Sequence, residues 1–149
     1  MIINLKVNGK NIKVGVRADE YLSDTLRNNG FKSVKRGCDK STCGACTVLV
    51  DGEPVLSCSY FSHRAEGKSI TTLEGVYAEA EKLGEYIVNE GADQCGFCTP
   101  SLALTAIAMK NELENPTEED IKHYLNGNLC RCTGYESQMK SIKKYLEVE

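Results

Sequence analysis

The sequence predicts an α+β chain in two consecutive parts, and three observations carry that prediction. Residues 2–16 alternate apolar and polar side chains around Asn8-Gly9, and residues 47–56 place two short apolar runs on either side of Asp51-Gly52, the patterning of two hairpins. Beyond Gly75 the apolar residues recur at three- and four-residue intervals, as on helices. Eight cysteines divide into two groups of four, one group in each part. The boundary is expected near residues 73–80, dividing the chain into 1–75 and 76–149.

Each element has its own warrant. In the first hairpin Ile3, Leu5 and Val7 share one face of one arm, and Ile12, Val14 and Val16 one face of the other. Residues 18–29 read as a short helix stopped by Gly30, with Leu22, Leu26 and Tyr21 facing inward. A Cys- and Gly-rich loop covers 37–46. A second hairpin pairs 47–50 with 55–56, and Pro54 is placed at the start of the return strand. Residues 70–73 make one more strand. Residues 77–89 are helix-prone, with Gly84 a point where that helix could break. Residues 101–111 are apolar on most sides, which predicts a central, buried helix. Asn115-Pro116-Thr117 opens the next helix, with Pro116 in its first turn and Glu118, Glu119 and Asp120 at the positive end of its dipole, and it ends near Asn126-Gly127. A last helix over 136–146 presents Met139, Ile142, Tyr145 and Leu146. The second part is thus a small helical bundle. There is no internal repeat and no low-complexity segment.

Composition narrows the function. The chain has 149 residues, 41% apolar and 26% charged, with a net charge of −3, a soluble globular composition. A mildly acidic chain argues against nucleic acid as a partner, since phosphate binding needs a concentrated basic surface. No run approaches the roughly 18 apolar residues of a membrane span. The N-terminal apolar residues are interrupted by Asn4, Lys6 and Asn8, unlike a signal peptide, so the cytoplasm is the expected compartment. Cysteines used in numbers in a reducing compartment bind metal more often than they pair as disulfides.

Cys38, Cys43, Cys46 and Cys58 follow C-x4-C-x2-C, then eleven residues, then C. Cys95, Cys98, Cys130 and Cys132 follow C-x2-C, then thirty-one residues, then C-x-C. Four thiolates suit one 2Fe–2S cluster, two on each iron, and the first spacing is that of plant-type ferredoxins. Such a cluster is anionic, so its sulfurs need nearby N–H donors, and Gly37 and Gly44 allow the backbone to come close. The segment 95–100, carrying Cys95 and Cys98, immediately precedes the apolar helix, whose N-terminal amides would favour an anion. Three other readings stay open on spacing alone. These are disulfides, zinc sites built on the C-x2-C pairs 43/46 and 95/98, and a catalytic thiol, although two full quartets leave no cysteine spare. His63 and His123 read as surface residues, the acidic run 118–120 as a helix-start feature, and Lys140, Lys143 and Lys144 as a solvated face. Arg131, between two candidate ligands, offsets cluster charge and is a candidate interface residue.

The segments CGACTVLVDGEPVLSC (43–58), ITTLEG (70–75), QCGFCTP (94–100) and GNLCRCTGY (127–135) closely resemble the small iron–sulfur subunit of the molybdenum hydroxylases, the xanthine dehydrogenase and aldehyde oxidase family. The resemblance spans nearly the whole chain in the family's order. It implies a plant-type ferredoxin-like (β-grasp) domain over 1–75, with a cluster on Cys38, Cys43, Cys46 and Cys58. It also implies a four-helix-bundle domain over 76–149, with a second cluster on Cys95, Cys98, Cys130 and Cys132. In the family, Gln and the final Cys of these motifs, here Gln94 and Cys132, contact the molybdopterin of a large partner subunit. The first cluster faces an FAD-binding medium subunit. The implied role is to relay electrons one at a time from molybdenum through two clusters toward FAD or another acceptor, within a heterotrimer or a dimer of heterotrimers. The chain itself would carry no substrate-converting site. A purine or other N-heterocycle is the expected substrate. Two departures stand out: Asp39 and Ser41 occupy loop positions where many members have Gly, and Ser101 follows CTP where many have Gly. The competing functions are a stand-alone ferredoxin-like carrier and a zinc-stapled interaction module.

Overall fold

The computed structural model describes residues 1–148. Two hairpins and a fifth strand form one sheet. They are β1 (Ile2–Val7), β2 (Lys10–Gly15), β3 (Thr47–Val50), β4 (Glu53–Leu56) and β5 (Ser69–Thr71), in the order β2-β1-β5-β3-β4. The β1/β5 pair is parallel and the others antiparallel. Both hairpins turn in two residues, and Asn8, Gly9, Asp51 and Gly52 all take positive φ, as a type I′ turn requires. Ile3, Leu5 and Val7 pack with Val48, Val50, Ile70 and with Leu22 and Leu26 of α1 (Leu22–Asn28). A helix lying across a mixed sheet in this way is the β-grasp arrangement expected of the first part.

The second part consists of α2 (Tyr77–Asn89), α3 (Thr99–Glu112), α4 (Glu118–Tyr124) and α5 (Glu136–Leu146). Leu83 and Ile87 of α2, Ala106 and Met109 of α3, Ile121 of α4, and Ile142 and Tyr145 of α5 close one core. All nine residues 101–109 of α3 are buried. The reason is that α3 has two neighbours. One side enters the bundle core, while Leu104 and Ala108 pack on Leu49 of β3. β3 is buried along its whole length for the same reason, sending Val48 and Val50 to the sheet core and Leu49 to α3. This packing holds the sheet and the bundle together.

Several boundaries differ from the sequence expectation. The first helix begins at Leu22 rather than near residue 18, because Tyr21 is extended and bridges to Phe61, while Glu20 accepts from the Arg17 N–H and the Thr25 hydroxyl. β5 stops at Thr71, since Thr72 N–H turns to the Asn8 side chain and Leu73–Gly75 forms a short 3-10 turn. α2 runs unbroken through Gly84, because burial of Leu83 and Ile87 outweighs a glycine's propensity cost of about 1 kcal/mol. Pro116 precedes α4 rather than entering it. Thr117 is the N-cap, and a reciprocal capping box with Asp120 satisfies both ends. α4 ends at Tyr124, short of Asn126. Pro54 is the second residue of β4, tolerated because β4 is an edge strand. Among the described residues no helix is long and apolar enough to cross a membrane.

Candidate metal centres

The first quartet lies on the loop between α1 and β3 and just beyond β4. Cys46 is buried at the edge of the sheet core, while Cys38, Cys43 and Cys58 are half-buried. Backbone amides converge on these sulfurs. Thr42 N–H donates to Cys38 Sγ at 3.3 Å and Ala45 N–H to Cys43 Sγ at 3.5 Å. The Ser41 hydroxyl lies 3.4 Å from Cys58 Sγ. The N–H groups of Thr42, Cys43 and Lys40 lower the Cys38 thiol to about 6, so the loop stabilises negative charge on sulfur. Burial pushes Cys46 up to about 11, and the neighbouring Cys58 thiol adds to the rise.

Glycine is required here for two separate reasons. A Cβ on Gly37 would lie 3.1 Å from Cys43 Sγ. Gly44 has φ of +74°, and a Cβ there would collide with the carbonyl oxygen of Gly127, in the loop that leads to Cys130. Ser41 also takes a left-handed φ, +53°.

The second quartet gathers where α3 and α5 begin. Cys98 is the N-cap of α3, with Pro100 in the first turn, so the helix dipole points its positive end at this sulfur. Cys95 and Cys132 are exposed, with their sulfurs 3.6 Å apart. Cys98 and Cys130 are half-buried neighbours. Phe97 N–H donates to Cys95 Sγ at 3.5 Å, the Thr133 hydroxyl lies 3.3 Å from Cys130 Sγ, and Gln138 Nε2 donates to Cys98 Sγ at 3.5 Å. Burial pushes Cys98 up to about 11. Burial also opposes ionisation of Cys130, but the Thr133 hydroxyl and the N–H groups of Thr133 and Cys132 outweigh it and bring the thiol down to about 7. Cys132 is raised chiefly by its hydrogen bond with Cys95. Tyr135, with φ of +73°, turns its hydroxyl back to accept from Cys130 N–H at 3.0 Å.

The thiols thus meet in pairs, Cys38 with Cys43, Cys46 with Cys58, Cys95 with Cys132 and Cys98 with Cys130. Among the described residues no three His, Cys, Asp or Glu side chains gather as around a single ion. Two thiols per pair, two pairs per site, N–H donors aimed at sulfur and glycines where backbone must approach all fit a 2Fe–2S cluster at each site.

The two sites touch. Leu129 N–H donates to the carbonyl of Cys43 at 2.9 Å, joining the loop of one quartet to the residue before Cys130 of the other. Lys35 reinforces the junction, with its ammonium 4.9 Å from the centre of the Phe97 ring. A cavity of about 600 Å3 opens between the sites, lined by Cys43, Phe97, Leu129, Arg131, Cys132 and Tyr135 among others. Phe97, Leu129 and Tyr135 are exposed there, 44–50% of each.

The remaining candidates fall as follows. Gln94 is exposed beside Cys95. Arg131 is exposed and, among the described residues, has no carboxylate within ion-pair distance. His63 is exposed and stacks on Phe61, and His123 is exposed on α4. The acidic run serves α4, as expected of a helix start, through the Thr117–Asp120 box and the Glu118–Lys122 and Glu119–Lys122 pairs. Lys140, Lys143 and Lys144 pair with Glu136, Glu118 and Glu90. Sequence reasoning missed Gln138, Tyr135 and Leu129. Only Gln138 left a signal, because it lies four residues before Ile142 and seven before Tyr145, on the same buried stripe.

Residues 5–73 match the 2Fe-2S iron-sulfur cluster binding domain family and residues 72–143 the 2Fe-2S binding domain family. The chain is 43% identical over 136 residues to the nicotinate dehydrogenase small FeS subunit of Eubacterium barkeri, covering 89% of this chain and 87% of that one. It is 44% identical over 145 residues to the xanthine dehydrogenase iron-sulfur-binding subunit of Escherichia coli O157:H7, covering 94% and 91%. A chain in the crystal structure of quinoline 2-oxidoreductase from Pseudomonas putida 86 superposes with a TM-score of 0.90 at 37% identity, covering 99% of this chain and 94% of that one. Two domain matches, one per part of the fold, correspond to two 2Fe–2S clusters as cofactors. The chain belongs to the family of small iron–sulfur subunits of the molybdenum hydroxylases, and is the two-cluster subunit of a multi-subunit oxidoreductase rather than the holder of its substrate site.

Proposed function

We propose that this subunit carries electrons singly from a molybdopterin-type molybdenum cofactor on a large partner chain to FAD on a medium partner chain, during oxidation of an N-heterocycle. One observation carries the reading: eight thiols stand in four pairs, and a single backbone hydrogen bond joins the two sites. Residues 1–75 form the ferredoxin-like domain and hold the first cluster on Cys38, Cys43, Cys46 and Cys58. Residues 76–149 form the bundle domain and hold the second on Cys95, Cys98, Cys130 and Cys132. Bound there, each cluster takes up and passes on one electron at a time.

The chain's own residues do the rest. The amides of Thr42, Ala45 and Phe97 hold charge on sulfur. Burial of Cys46 keeps water from that side of the first site. The link from Cys43 C=O to Leu129 N–H, one residue before Cys130, supplies a short path of covalent bonds and one hydrogen bond between the sites. In this reading Cys132 and Gln94 meet the pterin of the large subunit and Arg131 meets the same partner, and the exposure of all three supports it. The exposed Phe97, Leu129 and Tyr135 favour a tightly held partner over a freely diffusing carrier, because an apolar rim around a redox site is costly in water. Pairwise rather than fourfold gathering of thiols favours two irons per site over one zinc. The relatives named for xanthine, nicotinate and quinoline support an N-heterocyclic substrate, purines included. Eight unpaired cysteines favour the cytoplasm. A heterotrimer, or a dimer of heterotrimers, is the assembly.

The purified complex is expected to hold about four irons per copy of this chain, to show two one-electron paramagnetic centres, and to contain two larger subunits. A single reducible centre, or iron well below that ratio in fully loaded material, sinks the relay. Arg131→Ala is expected to weaken assembly on gel filtration, and an intact complex would remove Arg131 from the interface.

A further inference from the structure

Gln138 is 4% exposed, a polar side chain on the buried stripe of α5 between the bundle core and Cys98. The fold does not need an amide there. Ile142 and Tyr145 anchor α5 in the core, and Ser141 pins it to α2 by donating to the carbonyl of Tyr86 at 3.3 Å. What the amide does is donate from Nε2 to Cys98 Sγ at 3.5 Å. The N–H groups aimed at the sulfurs of Cys38, Cys43 and Cys95 come from the ligand loops themselves. This donor comes from a separate helix, on a side chain that is itself buried.

We infer that Gln138 is a positioning residue for the electron path, setting the reduction potential of the second cluster through its hydrogen bond to Cys98. The inference rests on Cys98 being a ligand of that cluster. Reduction adds one electron, and part of the new negative charge falls on the ligand sulfurs. A donor aimed at one of them is bound more strongly in the reduced form, so it raises the potential. Burial enlarges the effect, since a hydrogen bond is electrostatically stronger in a low-dielectric interior than in water. The N-terminus of α3 acts on the same sulfur in the same direction.

The test uses the whole complex with Gln138→Leu and, as a second apolar replacement, Gln138→Met. Iron content and a redox titration followed by paramagnetic resonance are measured on each. Hyperfine spectra of the reduced wild type are recorded in H2O and D2O. Iron is expected to stay unchanged. One midpoint should fall by about a tenfold change in its reduction equilibrium, about 59 mV for a one-electron couple, while the other stays put. One exchangeable proton coupling should disappear with the amide. Full iron with both midpoints unmoved, or with both moved alike, overturns the role of Gln138 and leaves the ligand assignment standing. If both variants lose iron, the wild-type spectra decide, and no side-chain amide proton coupled to the second centre overturns it. Low iron in the wild type would instead indict the ligand assignment.

Discussion

Ser41 stands in the first cysteine loop with the backbone of a glycine. Its φ of +53° is one that glycine adopts freely, so the loop keeps the backbone that a glycine would take, at a cost of about 1–2 kcal/mol. The hydroxyl gains a place 3.4 Å from Cys58 Sγ. Ser101, the other departure, is buried in α3 and donates to the carbonyl of Cys98, so it supports the N-cap of that helix. Asp39 is different. Its side chain is 88% exposed and pairs with Arg36 at 3.2 Å. Asp39→Asn should raise the midpoint of the first cluster, because a nearby negative charge disfavours adding an electron. Solvent and Arg36 screen that charge, so the rise should be less than about 59 mV. An unchanged or lowered midpoint on redox titration would refute it. Gly44 allows no such latitude. Gly44→Ala would combine backbone strain of about 1–3 kcal/mol with a collision against Gly127. It is expected to lower the melting temperature and to weaken the magnetic interaction between the two reduced centres. An unchanged interaction would mean that the two loops do not depend on this close approach.

At the scale of elements, α3 carries the architecture. It caps at Cys98, fills the bundle core with Ala106 and Met109, and packs Leu104 and Ala108 on Leu49 of the sheet. Met109 is fully buried, so Met109→Ala should cost about 2–5 kcal/mol in denaturant unfolding, the usual range for a large-to-small change in a core. A cost below 1 kcal/mol would mean that the helix repacks. α4 depends more on its own ends. With seven residues it is short for a helix, and Thr117→Ala removes the hydroxyl that accepts from Asp120 N–H, leaving only the bond from the residue-117 N–H to the Asp120 carboxylate. A loss of about 1 kcal/mol is expected, read as a lower denaturation midpoint at unchanged slope.

Across the whole molecule, the segment that leaves the sheet for the bundle is clamped. Asn8 donates to the Thr72 hydroxyl and accepts from Thr72 N–H, both at 2.9 Å. Its side chain fills the space where a Cβ on Gly75 would stand. Ser33 N–H donates to Glu74 at 3.0 Å, and the Ser33 hydroxyl donates to the same carboxylate. Burial pushes the Glu74 carboxyl up, but the Ser33 and Thr72 hydroxyls and the Ser33 N–H outweigh it and leave it below its usual 4.5. A lowered carboxyl contributes its stability above the usual value and loses it as pH falls through the lowered one. Glu74→Gln should therefore melt below the wild type near neutrality, and the gap should close as pH falls below that usual value and through the lowered one. A gap independent of pH would mean that charge on Glu74 plays no part in the clamp.

The sequence by itself determined what is local. Cysteine spacing defined two quartets, the Asn8-Gly9 and Asp51-Gly52 turns between apolar segments defined two hairpins, and the run at 101–111, apolar on most sides, defined a central helix. These properties depend on neighbours a few residues apart, which a linear pattern records. Only the tertiary structure decided which thiols stand side by side, that Gln138 reaches Cys98 from another helix, and that Leu129 bonds to Cys43 across the junction. Those contacts exist because two faces of α3 are buried at once, against the sheet and within the bundle. Side-chain packing between distant segments settles such a choice, and no spacing along the chain encodes it.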